Sequence, residues 1–192
     1  LPEIGFTDIA ANDVFYLTGD GNLVDNNNPV LLYQYSTGDL SFYLSLSDGK
    51  VGTSSATDDQ EYAVGLKYNF GNYSIGVGYE EIDRAAAGFD NGSHAIIGGT
   101  ATFGTTTVQA FYGSYKDEAA GYIDSVAHYG VGVTSKFDAL TVMGFVQVRE
   151  EGAGPGGDDV TYYGLGASYD LGGGASIVGG IGDNDLPGTD AV

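Results

Sequence analysis

Carboxylates dominate the side chains of this sequence that could do chemistry. Five stand in the first 28 residues, Glu3, Asp8, Asp13, Asp20 and Asp25, and two more adjoin at Asp158 and Asp159. With Asn26, Asn27 and Asn28 they gather oxygen ligands of the kind hard cations use, so calcium at Asp20, Asp25, Asp158 and Asp159 is the one metal suggested. The spacing is not that of an EF-hand, because no Glu follows at the twelfth position, and a solvated acidic loop explains the same residues. Lys and Arg number 6 against 26 Asp and Glu, for a formal charge of −20. Such a charge repels nucleic acid and anionic membrane surfaces and draws small cations close.

Catalysis finds less to work with. There is no cysteine, hence no disulfide framework and no thiolate site. The two histidines, His94 and His128, stand at the starts of expected strands, without a serine elbow or a paired-histidine motif. "GLGASY" (164–169) fails the dinucleotide fingerprint and sits within a strand. No enzyme and no organic cofactor are expected.

The elements that must carry these residues are strands. Short turns recur at Ser36–Asp39, Gly71–Asn72, Gly104–Thr105, Asp138–Ala139 and Asp170–Gly174, with centres about 33 to 34 residues apart. Alternating segments flank each turn, and period-2 patterning places strands at 29–36, 40–48, 60–70, 73–82, 94–103, 106–115, 128–137, 140–149, 159–169 and 175–182. Longer polar connections lie between the hairpins at Asp48–Asp59, Asp83–Gly92, Lys116–Ala127 and Glu150–Asp158. Two strands per repeat are too few for a propeller blade and suit an up-and-down barrel. No apolar run approaches the ~18 residues of a transmembrane helix.

Parity carried across the tight turns sorts the strands into two faces. In "EYAVGLKYNFGNYSIGVGYE" (61–80), one face holds Tyr62, Val64, Leu66, Tyr68, Phe70, Tyr73, Ile75, Val77 and Tyr79. No charge is expected on that face. The opposite face is small and polar, and it holds Glu61, Lys67, Glu80, Gln109, Lys136, Gln147 and Arg149. A soluble sandwich also has one dry face, so alternation alone does not decide. Aromatics do. Tyr35, Phe70, Tyr73, Phe103, Phe137 and Tyr169 sit beside the short turns, and Tyr62, Tyr79, Tyr112, Tyr129 and Tyr163 lie toward the long loops. Two aromatic girdles bounding an aliphatic belt, on strands of ~9–11 residues, are the pattern of an outer-membrane barrel. The expected fold is all-β, an antiparallel up-and-down transmembrane β-barrel.

"GFTDIAANDVFYLTGD", "DNNNPVLLYQYSTGDLSFYLSLSDGKVG", "FGNYSIGVGYEEID" and "DDVTYYGLGASYDLGGGASIVGGIGDNDLP" resemble the general diffusion porins of Gram-negative bacteria, specifically the Rhodobacter-type branch. The resemblance runs through essentially the whole chain. It implies sixteen-stranded trimeric barrels with a third outer loop folded into the lumen. On that basis 1–28 is the remainder of the constriction loop, 29–182 are five hairpins of barrel wall, and 183–192 begin a terminal outer loop. The ten strands then correspond to the sixth to fifteenth. About five earlier strands and the last strand, with its aromatic end, would lie outside the sequence, which is expected to be truncated at both ends.

The resemblance further implies passive diffusion of ions and small hydrophilic solutes through a water-filled channel in the outer membrane. Glu3, Asp8, Asp13, Asp20 and Asp25 would form the negative side of the constriction, with Glu61, Lys67, Glu80, Lys136 and Arg149 as charges on the lumen wall. Inward glycines such as Gly65, Gly76, Gly78, Gly130 and Gly132 would keep the interior open. The expected partners are outer-membrane lipid, small solutes and, at full length, two further copies in a homotrimer; nucleic acid is not one. An outer-membrane adhesin with a plugged lumen and a soluble acidic, lectin-like β-sheet binding protein are the competing readings. Liposome swelling and extraction without detergent separate them.

Overall fold

A computed structural model describes residues 30–49, 59–83, 91–117, 122–150 and 159–185. They form ten strands: β1 (Val30–Thr37), β2 (Leu40–Gly49), β3 (Asp59–Phe70), β4 (Tyr73–Asp83), β5 (Gly92–Phe103), β6 (Thr106–Asp117), β7 (Tyr122–Phe137), β8 (Leu140–Arg149), β9 (Val160–Gly172) and β10 (Ala175–Asn184). All ten join one sheet in chain order, and each pairs antiparallel with its sequence neighbours. This is the expected up-and-down meander. Short turns leave sequential strands no other low-entropy partner.

The turns show why these residues were needed. Gly38, Gly71 and Gly104 take positive φ (57°, 64° and 62°) as the first of two central turn residues. That geometry continues the right-handed twist of the strands and admits glycine without a steric cost. Asp138 fills the same place with φ 51°, which an Asp tolerates better than most side chains. Gly172, Gly173 and Gly174 all take positive φ where β9 turns into β10. The second turn residue then reaches the next hairpin. The carbonyls of Asp39, Asn72, Thr105 and Ala139 accept hydrogen bonds of 2.8–2.9 Å from the amides of Asn69, Thr102, Lys136 and Asp170. The same stitch recurs between successive hairpins, so they share one stagger.

Some strand boundaries depart from expectation. β7 starts at Tyr122, six residues before its expected start, and much of the supposed loop 116–127 is strand. Tyr122 pairs with Asp117 and Val126 with Tyr115, with an irregularity between. Asp117, Glu118, Gly121 and Asp124 give this stretch the composition of a loop, yet its backbone pairs on either side of them. β9 and β10 also run past 169 and 182, to Gly172 and Asn184.

Sheet register confirms the two faces. Leu46, Tyr62 and Glu81 are successive partners, as are Phe42, Leu66, Val77, Ile97, Tyr112 and Tyr129. The alternation of burial is inverted relative to a soluble sheet: in β4, Tyr73, Ile75, Val77 and Tyr79 are exposed, while Ser74, Gly76, Gly78 and Glu80 are buried. The buried apolar and polar side chains among the described residues all fall on the inward parity, including Ala63, Ile96, Phe111, Glu80, His94 and Gln147. The exposed large apolar residues fall on the outward parity, except Leu32 and Val178 on the edge strands β1 and β10. Together they cover one whole wall of the sheet, whereas the largest apolar patch of a soluble monomer is about 300–600 Å².

Candidate functional site: the two walls of the sheet

The outward wall is banded. At the turn end, Phe70 stacks on Tyr68 and Tyr73 with ring centroids 6.0 and 5.6 Å apart, and Tyr73 meets Phe103 edge-on at 6.2 Å. Tyr35, Phe137 and Tyr169 are exposed at the same end of their strands. At the loop end, Tyr112 and Tyr129 stack at 6.3 Å. Between the bands the wall is mainly aliphatic, with Phe42 beside Leu66.

One expectation for this wall needs correction. Glu81 lies on it, partnered in register with Tyr62 and accepting hydrogen bonds from the Tyr79 hydroxyl at 2.7 Å and the Asn91 amide at 3.2 Å. Lys116 and Asp183 share the outward parity, in register with Ser93 and Tyr163. The wall is uncharged only below the upper tyrosine band. Above it, ring hydroxyls and charges meet, as amphipathic rings do where a polar layer begins.

The inward wall carries the polar chemistry. Lys67 lies between Ser41 and Gly76 in register, and Glu61 between Ser47 and Ile82. Lys136 is exposed beside Thr141, at the turn end. It borders a hollow also lined by Thr102, Thr107, Thr134 and Asp138. Arg149 holds its guanidinium 5.9 Å from the centre of the Tyr162 ring. Hydroxyl pairs cross the strands lower down, Ser74 with Thr100 at 2.7 Å and Thr102 with Thr107 at 3.0 Å.

Glu3, Asp8, Asp13, Asp20 and Asp25 lie outside the described residues, as does Asp158. Asp159 is exposed just before β9. Among the described residues no three metal-type side chains converge.

Two features of this wall escaped the reading of the sequence. The first is a buried polar row: the Glu80 carboxylate lies 3.6 Å from Nδ1 of His94, whose Nε2 is 2.7 Å from Nε2 of His128. His128 is in register with Arg149. The 34-residue separation of the histidines equals the repeat of the turns, and that was the available signal. The second is an interlock of rings and glycines. A Cβ at Gly164 would fall 2.7 Å from the Phe145 ring, one at Gly130 would fall 3.0 Å from Phe111, and one at Gly166 would fall 3.2 Å from Met143. Large inward side chains lie flat over glycines of the adjacent strand. Those glycines therefore seat neighbours as well as leaving space.

The arrangement, apolar outside and polar inside, also belongs to known proteins. A model of the Gram-negative porin family matches residues 3–189. Over 207 residues the chain is 49% identical to a porin of Rhodobacter capsulatus, with 100% of this chain and 69% of that protein covered. Among solved structures, an anion-selective porin from Comamonas acidovorans superposes with TM-score 0.64 at 14% identity, covering 81% of this chain and 48% of the other. A mutant porin of Rhodopseudomonas blastica gives TM-score 0.58 at 22% identity, over 82% and 50%. The chain thus spans about half the length of these solved structures.

Proposed function

The chain belongs to the Gram-negative porin family, and from that premise we propose that the protein carrying it forms a water-filled outer-membrane channel. Ions and small hydrophilic solutes would cross it passively, with no covalent step. One observation carries this reading: the large apolar side chains face outward and exposed, while charged, hydroxyl and glycine residues face inward. A pore needs that inversion, because lipid surrounds it and water fills it. The full-length protein acts as a homotrimer in this reading. Its role is that of a channel, not an enzyme.

Selectivity in such a pore follows from width and from the charges at its narrowest ring. The acidic residues Glu3, Asp8, Asp13, Asp20 and Asp25 supply negative charge there, while Lys67, Lys136 and Arg149, with Glu61 and Glu80, are charges spread along the lumen wall from its turn end to its loop end. With a formal charge of −20, the expected outcome is weak cation preference. The anion selectivity named for the Comamonas acidovorans porin stays with that protein, because 14% identity carries the fold alone. Calcium at Asp20, Asp25, Asp158 and Asp159 is part of the same proposal, and calorimetric titration of the chelated protein with Ca²⁺ checks it.

The deciding experiment is reconstitution of the detergent-purified protein into planar bilayers with a salt gradient. Steady unit conductance and a reversal potential of cation sign are expected. Absence of conductance, with no swelling of liposomes in small sugars, would overturn the channel. Conductance with an anion-sign potential would leave the channel standing and overturn only the selectivity.

A further inference from the structure

The inward wall holds a constellation that passive diffusion does not use. His94 on β5 and His128 on β7 meet through their Nε2 atoms at 2.7 Å, their ring centroids 4.9 Å apart. Both side chains are buried, and so is Glu80, whose Oε1 lies 3.6 Å from Nδ1 of His94. The Phe111 ring closes one side, 5.4 Å from that of His128. Gly113 closes another, because a Cβ there would overlap the His128 ring. Two imidazole nitrogens thus converge on one point, walled by an aromatic ring and a backbone.

We propose that His94 and His128 form a binding site for a divalent transition-metal ion of the copper–zinc class, with Glu80 as the positioning residue. Imidazole nitrogen suits these metals, whereas calcium and magnesium prefer oxygen. A carboxylate facing Nδ1 favours the proton on that nitrogen, which leaves the lone pair of His94 Nε2 directed at His128. At 3.6 Å this contact is longer than a hydrogen bond, so Glu80 acts on the imidazole tautomer through its charge. In the metal-free pair, one Nε2 must carry the proton of the hydrogen bond. For an ion to bind, that proton must move to Nδ1 of the same His128 ring, so that both Nε2 lone pairs face the metal and each imidazole stays neutral.

The geometry sets the adjustment required. With metal–nitrogen distances of about 2.0–2.1 Å, tetrahedral ligation separates two nitrogens by about 3.4 Å. The rings must therefore part by about 0.7 Å, a small rotation of two side chains that already touch. No third histidine or carboxylate of the described residues joins them in a ligand set. The proposed site therefore supplies two protein ligands, both imidazole nitrogens. Bound there, it would tie β5 to β7 across β6. The site is independent of whether solutes pass through the pore.

The test uses the full-length protein, purified from outer membranes in detergent and stripped with chelator. Cu²⁺ is the probe, followed by electron paramagnetic resonance, in which nitrogen ligands give a resolved splitting. The expected result is one site with two nitrogen ligands. His94→Gln and His128→Gln should each weaken it at least tenfold and remove one nitrogen, and Glu80→Gln should weaken it about tenfold with both nitrogens kept. The wild-type spectrum needs no variant to fold, and a signal from oxygen ligands alone would overturn the proposal. So would a nitrogen signal unchanged in the His94→Gln/His128→Gln double variant. An unchanged affinity in Glu80→Gln would overturn its positioning role.

Discussion

Nε2 of His94 and Nε2 of His128 lie 2.7 Å apart although the whole of β6 separates their strands. Alternate strands stand about 9.6 Å apart, so both side chains must reach over β6, and only a residue without a side chain lets them. Gly113, the register partner of His128, is that residue.

Gly113→Ala is expected to push the His128 ring aside and break the imidazole pair. A buried hydrogen bond lost and a side chain displaced together cost about 1–3 kcal/mol. Urea unfolding of the folded protein in detergent micelles measures it. A midpoint equal to that of the wild type would show that the row is not held by this gap.

Two other glycines should respond in opposite directions. Gly164→Ala places a methyl 2.7 Å from the Phe145 ring and 3.2 Å from the Ile181 carbonyl oxygen. It is expected to cost about 1–3 kcal/mol. Gly179→Ala meets nothing within 4 Å, and should be neutral or stabilising by up to about 1 kcal/mol, through reduced chain entropy in the unfolded state. Thermal unfolding of the two variants side by side tests the ring–glycine interlock.

The Asp138–Ala139 turn holds a non-glycine residue at φ 51°, where the other two-residue turns have glycine. Asp138→Gly should therefore stabilise the hairpin by roughly 0.5 kcal/mol, and Asp138→Val should destabilise it by about 1–2 kcal/mol. Refolding yield into micelles ranks the three proteins. The order Val, Asp, Gly is expected, and any other order contradicts the turn assignment.

Charge should be punished on one wall and accepted on the other. Val77 sits between Leu66 and Ile97 in register, midway along the exposed wall. Val77→Lys is expected to cost about 2–4 kcal/mol in lipid, as a cation does near a bilayer midplane. Gln109→Lys, between Thr100 and Gly132 on the inward wall, should fold with wild-type yield and move the reversal potential toward anions. Equal losses from both would contradict the assignment of the faces.

Much of the fold was legible because a strand's face is a local property. Side chains alternate with period 2, so Tyr62 to Phe70 and Tyr73 to Tyr79 declare one wall without knowledge of their neighbours. Tight turns carry that parity from strand to strand, and the glycines at 38, 71 and 104 announce where they lie. β7 was misjudged at its start for the complementary reason. Acidic residues and a glycine at 117–124 interrupt the alternation, so Tyr122–Ala127 reads as loop although its backbone pairs with β6.

The alternation alone is therefore enough for the number of strands, their turns, and the wall of most residues from Leu31 to Tyr169, though not for the faces of the last strand. Only the tertiary structure decided what meets on a wall. That Phe145 lies over Gly164 and that His94 reaches His128 depend on the stagger between strands. Stagger is set by backbone hydrogen bonds between residues about 30 apart, such as Asn69 to Asp39 and Thr102 to Asn72. No local pattern encodes it, because the period-2 signal is the same whenever a strand slides by two residues.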